Sequence, residues 1–259
     1  MRKHKRSRYL DIEDRTQDLA DLLRCEPALA QEFLRKYELS WVYHENALEG
    51  VIFSGQEIEQ ACENQPLAEV SSVATLRAIR NYKIAIERVR AEAVAKRPKI
   101  GLPLVKELYE ILRAAPEARP PAEYRREMPL HRSYFHDIAH PTKIPALLTK
   151  LMDWCQSAEF RSAHAIQKAP KLHHAFMQVY PYTDGSGKIA RLLANLILIH
   201  GGYQPCIFHS IDRQRYYESL KLPESALREF MLESMENGIA NGEKFIQQAL
   251  AARAKKAVR

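Results

Sequence analysis

Between Leu172 and Ile197 two apolar helical stripes meet across a glycine-rich turn, and no other stretch constrains the fold as tightly. Leu172, Ala175, Phe176 and Val179 recur at helical spacing and stop at Tyr180-Pro181, because proline disfavours helical geometry in the residue before it. After Thr183-Asp184-Gly185-Ser186-Gly187-Lys188 the pattern resumes as Ile189, Leu192, Leu193, Leu196 and Ile197. Gly185 and Gly187 permit a turn whose backbone N–H groups converge, and the helix behind it adds unpaired donors and its positive dipole end. Such a mouth suits a phosphate. Asp184 beside phosphates offers the carboxylate that Mg2+ takes together with phosphate oxygens and water. Lys188 and Arg191 put positive charge in a first helical turn, where the dipole prefers acids, so a bound polyphosphate is the simpler reason for them. Taken alone, the turn reads more readily as a capped connector with exposed basic residues, and only its context reverses that order.

The rest of the chain is helical in pattern, with only nine glycines. Phe33, Tyr37 and Trp41 lead towards Leu48, where Gly50 can end a helix in a left-handed conformation. Further stripes run through Leu76–Val89, from Pro103 through Leu112, and over Ile144–Cys155. Three prolines, Pro116, Pro120 and Pro121, break the pattern, and Met128–His140 carries no helical stripe and reads as an extended loop or short hairpin. Helices are expected again over Arg215–Leu220, Pro223–Asn237 and Asn241–Ala254. The fold class is therefore all-α with one small β element.

At 259 residues the chain can bury one large core, and 46% apolar with 27% charged residues is the balance of a globular protein. No uninterrupted apolar run approaches the roughly 18 residues of a membrane span. The N-terminus has no apolar secretory segment, which points to the cytoplasm; an effector translocated by another signal would look the same. The net charge of +7 is smaller than the nine Lys/Arg carried by residues 1–8 and 252–259, so the body is slightly acidic. A basic balance of that origin reflects solvated ends and does not imply a nucleic-acid-reading face. Cys25, Cys62, Cys155 and Cys206 form no CxxC pair and read as reduced thiols.

Tyr180-Pro181-Tyr182-Thr183-Asp184-Gly185-Ser186-Gly187-Lys188-Ile189-Ala190-Arg191 resembles the Fic (Fido) family motif HPFx(D/E)GNGRxxR. His173 and Phe176 before it, Leu192-Leu193, Asn195-Leu196 and Gly202-Tyr203 after it, and Asn81-Tyr82, Leu108–Leu112, Tyr124-Arg125, Asp212-Arg213 and Tyr216-Tyr217 extend the likeness. The resemblance implies a Fic domain over residues 30–240, preceded by a basic tail and leading helix (1–29) and followed by a C-terminal helix and basic tail (241–259). It implies a helical bundle with a β-hairpin flap that binds ATP (or another nucleotide) with Mg2+ and transfers AMP to a protein hydroxyl. Asp184 would hold the Mg2+, Gly185, Ser186, Gly187 and Lys188 would surround the phosphates, and Arg191 would bind the terminal ones. A target or regulatory protein would dock as an added strand on the flap at 128–140.

Three substitutions fall inside the motif: Tyr180 for the catalytic histidine, Ser186 for asparagine and Lys188 for arginine. A general base needs a pKa near working pH, and a phenol titrating near about 10 is ionised in roughly one molecule in a thousand at pH 7. Lys188 keeps charge but loses the planar fork, and it is the cation that could depress Tyr180. The family's inhibitory helix, (S/T)xxxE(G/N), is matched at its end by Glu49-Gly50 within residues 30–50, with Glu45 where Ser or Thr is expected. Glu49 is thus expected to pair with Arg191 and block the terminal phosphates. His173 reads as a hydrogen-bonded core residue, His131, His136 and His140 lack metal-ligand spacing, and Tyr216 is a candidate for contact with the nucleotide base. Three functions are consistent with this sequence: a pseudoenzyme that binds ATP-Mg, an active transferase using Tyr180, and an interaction module with a vestigial loop.

Overall fold

The computed structural model describes residues 2–63, 73–115, 121–129 and 136–257, with side chains from Arg8 to Arg253. Its α-helices are α1 (Arg2–Cys25), α2 (Pro27–Leu48), α3 (Gly55–Cys62), α4 (Val73–Ala93), α5 (Leu102–Arg113) and α6 (Ile144–Cys155), then α7 (Ala158–Ser162), α8 (Ala165–Val179), α9 (Ser186–His200), α10 (Arg213–Ser219) and α11 (Glu224–Ala257). None is long and apolar enough to cross a membrane. The all-α expectation holds.

The apolar pattern explains the layering. From Ile189 to Leu198 every residue of α9 is buried, so this helix lies at the centre, with α8 and α4 packed along it. A helix apolar on all sides has nowhere stable to sit except inside a bundle. Trp41, Tyr82, Phe176 and Tyr216, all fully buried, fill the space between α2, α4, α8 and α10. A smaller apolar cluster of Leu19, Leu23, Leu29, Phe33 and Ile246 joins α1, α2 and α11. Helix α2 ends as the sequence predicts, with Gly50 at φ +87°.

Two expectations need correction. The sequence divides the C-terminal region into two helices, yet α11 runs unbroken through Gly238 and Gly242. These glycines serve close approach: a Cβ on Gly242 would lie 2.9 Å from Leu19 Cδ2, and one on Gly238 would lie 3.1 Å from the Tyr37 hydroxyl. Helix α1 begins at Arg2, Arg8 donates to Glu229 at 2.8 Å and to Glu236 at 2.6 Å on α11, and Arg253 reaches Glu26 at 2.6 Å.

The β-hairpin flap is not seen. No β-strand occurs among the described residues; 128–129 and 136–140 are irregular, and 130–135, with His131, lie outside the described residues. The physical reason is that the backbone here serves the last turn of α8, whose carbonyls lack helical partners. Ala139 N–H donates to Gln178 O at 2.8 Å and Arg125 N–H to Pro181 O at 2.9 Å, in place of a ladder between the two segments.

Filling the α1–α11 contact is expected to be costly. Gly242→Val should lower the unfolding free energy by about 1–3 kcal/mol through overpacking against Leu19 and Phe33. Gly55→Ala, where an added methyl has nothing within 4 Å, should change it little; denaturant melts of both variants check the contrast.

Candidate active site

The loop between α8 and α9 is fixed from both sides. Tyr180 closes α8 at φ 45°, ψ 66°, and among the described residues it alone, apart from glycines, has positive φ. The helix ends where the sequence predicts, but in the left-handed region and not the extended one that proline favours, a conformation costing on the order of 1–3 kcal/mol for a side chain of this size. Arg125, buried, holds it by donating from Nε to Tyr180 O at 2.7 Å and from Nη2 to Ala139 O. Tyr182 turns inward and stacks on Tyr109 with ring centroids 3.9 Å apart. Ser186, fully buried, accepts from Tyr182 N–H at 2.9 Å and donates to Tyr182 O at 3.0 Å, bracing the turn from within. Gly185 at φ +74° then starts α9.

What this produces is a row of free amides. The first backbone hydrogen bond of α9 is Ile189 N–H to Gly185 O, and the N–H groups of Ser186, Gly187 and Lys188 have no partner among the described residues. A carboxylate already stands at this mouth. A Cβ on Gly187 would meet Glu49 Oε1 at 2.8 Å and Arg191 Nη1 at 3.0 Å, so a larger residue here would displace the ends of those side chains.

Arg191 is the centre of the site. Its side chain is 2% exposed and donates from Nε to Glu45 Oε2 at 2.6 Å, from Nη2 to Glu49 Oε1 at 2.7 Å and from Nη1 to the Tyr216 hydroxyl at 3.1 Å. Glu45 and Glu49 lie one helical turn apart on α2, the spacing that lets both reach one guanidinium. They differ in setting: Glu45 is 1% exposed and Glu49 30%. Burial pushes the Glu45 carboxyl up while Arg191 draws it down, and the Arg191 guanidinium, against the same burial, is held charged by Glu45 first. Tyr216, accepting from Arg191, points its O–H as a hydrogen-bond donor at His173 Nε2, 3.1 Å away, which fits a buried imidazole kept neutral by desolvation.

The other titratable groups point elsewhere. Lys188 turns towards α2, donating to Asn46 Oδ1 at 2.8 Å, and its Nζ lies 5.6 Å from the Tyr82 ring centre. Burial lowers its pKa. Tyr180 is pushed up to about 12, by burial first and then by Glu49 and Asp184, against the pull of Arg191 and Arg125. Lys188 is therefore not the cation that activates Tyr180, and the phenol stands further from ionisation than free tyrosine. Asp184, 53% exposed, is paired with Arg113 at the end of α5.

Residues 100–198 match the model of the Fic/DOC family. Over these residues the chain carries a Fic/DOC-family domain. A protein adenylyltransferase Fic of Drosophila virilis is 24% identical over 225 residues, 86% of this chain and 46% of that protein, so the chain spans just under half the length of this curated relative. A Fic domain containing signalling protein from Bacteroides thetaiotaomicron superposes with a TM-score of 0.76 at 20% identity, covering 90% of this chain and 98% of that one. Fic-1 of C. elegans gives 0.77 at 22% identity, covering 95% of this chain and 72% of the solved chain.

Measured against the Fic motif, the structure brings Tyr180, Asp184, Gly185, Ser186, Gly187, Lys188 and Arg191 to one junction and puts Glu49 over it. The Lys188 amine faces α2 while its amide stays at the mouth of α9, and Tyr216 is buried on Arg191 and His173. His136 and His140 are engaged by Met177 O and Thr142, and no cluster of three metal-ligating groups exists among the described residues. The donor set still fits Mg2+ when a polyphosphate supplies the remaining oxygens, since one carboxylate, Asp184, lies beside three unpaired amides. Sequence reasoning missed Glu45 as a partner of Arg191, Arg113 as a partner of Asp184 and Asn46 as the acceptor for Lys188. Only Glu45 left a signal, its four-residue spacing from Glu49.

The two glutamates are expected to differ in energetic weight. Arg191→Met, stranding Glu45, should cost about 3–5 kcal/mol near neutral pH, whereas Glu49→Ala should cost about 1 kcal/mol or less. Without Arg191 the folded-state pKa of Glu45 rises further above its unfolded value. The Arg191→Met deficit is then full above that pKa and shrinks as pH falls through it, a trend that denaturant melts from about pH 8 down to about pH 5 would reveal.

Proposed function

We propose that this Fic protein binds ATP with Mg2+ at the α8–α9 loop, is held closed by Glu49 and Glu45, and transfers AMP weakly or not at all. The observation that carries this reading is the pair of carboxylates on Arg191 above three unpaired amides. The amides of Ser186, Gly187 and Lys188 offer a phosphate the positive end of α9, and the Glu49 carboxylate occupies the neighbouring space as an anion would. The Mg2+ would sit on Asp184, which must leave Arg113 to receive it; when bound, the ion neutralises charge on the phosphates.

Arg191 cannot serve a terminal phosphate while both glutamates hold it. Glu49, part-exposed at the end of α2, is the movable member. Glu45 is buried and keeps its hold on Nε after Glu49 withdraws, so the closed state has two independent locks. The chemical step is weak for a separate reason. Removing the proton from a target hydroxyl falls to the group at position 180, and a phenol raised to about 12 is ionised in roughly one molecule in 10^5 at pH 7. Serine at 186 braces the loop through Tyr182, so that substitution by itself leaves the phosphate cradle formed.

Calorimetry with ATP and Mg2+ tests the binding claim. Wild-type protein should bind weakly, Glu49→Gly should gain about tenfold, and Glu45→Ser with Glu49→Gly should gain more because Arg191 is then free. No binding by the folded double variant would remove the proposal.

The catalytic claim is tested by repair. Tyr180→His, Ser186→Asn and Lys188→Arg combined with Glu49→Gly should produce a mass gain of one AMP on the protein, while Glu49→Gly alone stays unmodified at pH 7. Were Tyr180 an effective base, the Glu49→Gly variant would instead show a modification rate rising about tenfold per pH unit between pH 8 and 10.

A further inference from the structure

Behind Glu45, where α2 packs on α4, three polar side chains are shut away from water: Trp41, Glu45 and Tyr82 are each 0% exposed. Trp41 and Glu45 stand one helical turn apart on α2, and Tyr82 lies on α4. Trp41 Nε1, Glu45 Oε1 and Tyr82 Oη each lack a hydrogen-bond partner among the described residues. Glu45 Oε2, by contrast, is taken by Arg191. Tyr82 feels both of the others. Burial first, and then the charge of Glu45, push its phenol well above the ordinary range, while Arg191 and the Trp41 N–H pull it down.

The plain alternative is that Tyr82 and Trp41 only fill space, with Lys188 Nζ 5.6 Å from one ring centre and the Arg90 guanidinium carbon 5.9 Å from the other. Phenylalanine would fill the place of Tyr82 without burying a hydroxyl, and an unpaired buried polar group costs stability. The unmatched atoms are also complementary. An indole N–H only donates, a carboxylate only accepts and a phenol does both, so two bonds in the order Trp41, Tyr82, Glu45 satisfy all three. The other titratable groups acting on Glu45 are Arg191 and Lys188 from α9, Glu49 on α2, Tyr216 from α10 and Cys206 in the segment after α9. Among the described residues only Arg191 hydrogen-bonds to it. A donor on Oε1 is what this carboxylate needs to stay charged away from water.

We propose that Tyr82 is a positioning residue for the arginine lock: its hydroxyl accepts from Trp41 and donates to Glu45 Oε1, keeping the carboxylate ionised and turned onto Arg191. The inference concerns how firmly Glu45 holds Arg191, and only its effect on nucleotide rests on the ATP-Mg reading. Tyr82→Phe deletes the donor and keeps the ring. Carbon-13 NMR of carboxyl-labelled glutamate, with the Glu45 signal assigned by its loss in Glu45→Gln, reads the proton affinity of Glu45 from about pH 4 to about pH 8. Tyr82→Phe should raise that affinity at least about tenfold, because the charged form loses more than the neutral form does. Trp41→Phe, one bond further out, should raise it less. Ile79→Val, equally buried one turn earlier on α4, is the packing control and should leave it unchanged. The indole N–H proton of Trp41, one of two tryptophans, gives a second reading that needs no titration: it should move upfield in Tyr82→Phe as its acceptor is lost.

The proposal is overturned if Glu45 titrates in Tyr82→Phe as in wild type, if the Trp41 N–H does not move, or if Ile79→Val shifts Glu45 as far as Tyr82→Phe. Calorimetry separates it from the ATP-Mg reading. Added to Glu49→Gly, Tyr82→Phe should tighten ATP-Mg binding about threefold or more, and more at about pH 6 than at about pH 8, because Glu45 then releases Arg191 more readily. Binding by Glu49→Gly that Tyr82→Phe leaves unchanged counts against Tyr82 alone. Absence of binding in both variants counts against the ATP-Mg reading, and the NMR result then decides the role of Tyr82 by itself.

Discussion

A single guanidinium organises the working end of this protein. Arg191 emerges from the first turns of a helix otherwise given over to the core, and three hydrogen-bonding partners from two other helices converge on it: Glu45 and Glu49 from α2, Tyr216 from α10. Through Tyr216 the connection reaches His173 on α8. Four helices are thus referenced to one side chain, and the position of α2 over the mouth of α9 follows from it. Buried charges are tolerated only when paired and hydrogen-bonded, so Glu45, near-fully buried, depends on Arg191 far more than Glu49 does.

The loop beneath Arg191 separates two requirements that are often discussed together. On the proposed reading, phosphate recognition would rest on backbone: a left-handed glycine at 185, three free amides and Gly187 beneath the Glu49 and Arg191 side chains. Proton transfer rests on one side chain at position 180. The substitutions in this chain touch the second requirement and largely spare the first. Ser186 ties itself to Tyr182 and Lys188 to Asn46, so neither leaves a buried polar atom stranded. Tyr180 keeps the strained backbone of its position while carrying a group with the wrong acidity.

Much of the architecture is legible in the sequence, because helices declare themselves by period and the junction at Tyr180–Lys188 by composition. The errors share a cause: they concern what a residue meets across the fold. The sequence reading splits the C-terminal helix between Asn237 and Asn241, and only the nearness of Tyr37 and Leu19 reveals Gly238 and Gly242 as contact surfaces. The segment at 136–140 reads as hairpin material, but its hydrogen bonds go to the end of α8. Lys188 is adjacent to the loop in sequence and reads as a neighbour of Tyr180, although one helical position turns it towards α2. Glu45 reads as a departure from a motif; in three dimensions it is a second carboxylate on the same arginine. Spacing of four on a helix fixes which residues share a face, and the partner facing them comes from elsewhere in the chain.

Stability alone does not explain the cluster of Arg191, Glu45 and Glu49. A buried ion pair recovers little more than its desolvation penalty, and well-packed apolar residues of similar volume are often as stabilising or better. A fold needing only to hold α2 against α9 could use leucine and methionine. What an ionic contact offers instead is exchange: a carboxylate on a guanidinium can be replaced by another anion of matching geometry, such as a phosphate, without leaving the charge unpaired. An apolar contact has no such substitute. On the proposed reading the part-exposed Glu49 would be the member that exchanges, while the buried Glu45 would set its threshold, because an incoming anion would compete with a carboxylate already 2.6 Å from Nε and shielded from water. In the proposed function this contact would act as a graded lock on the phosphate site, with its stiffness set on α2 and independent of the identity of residue 180.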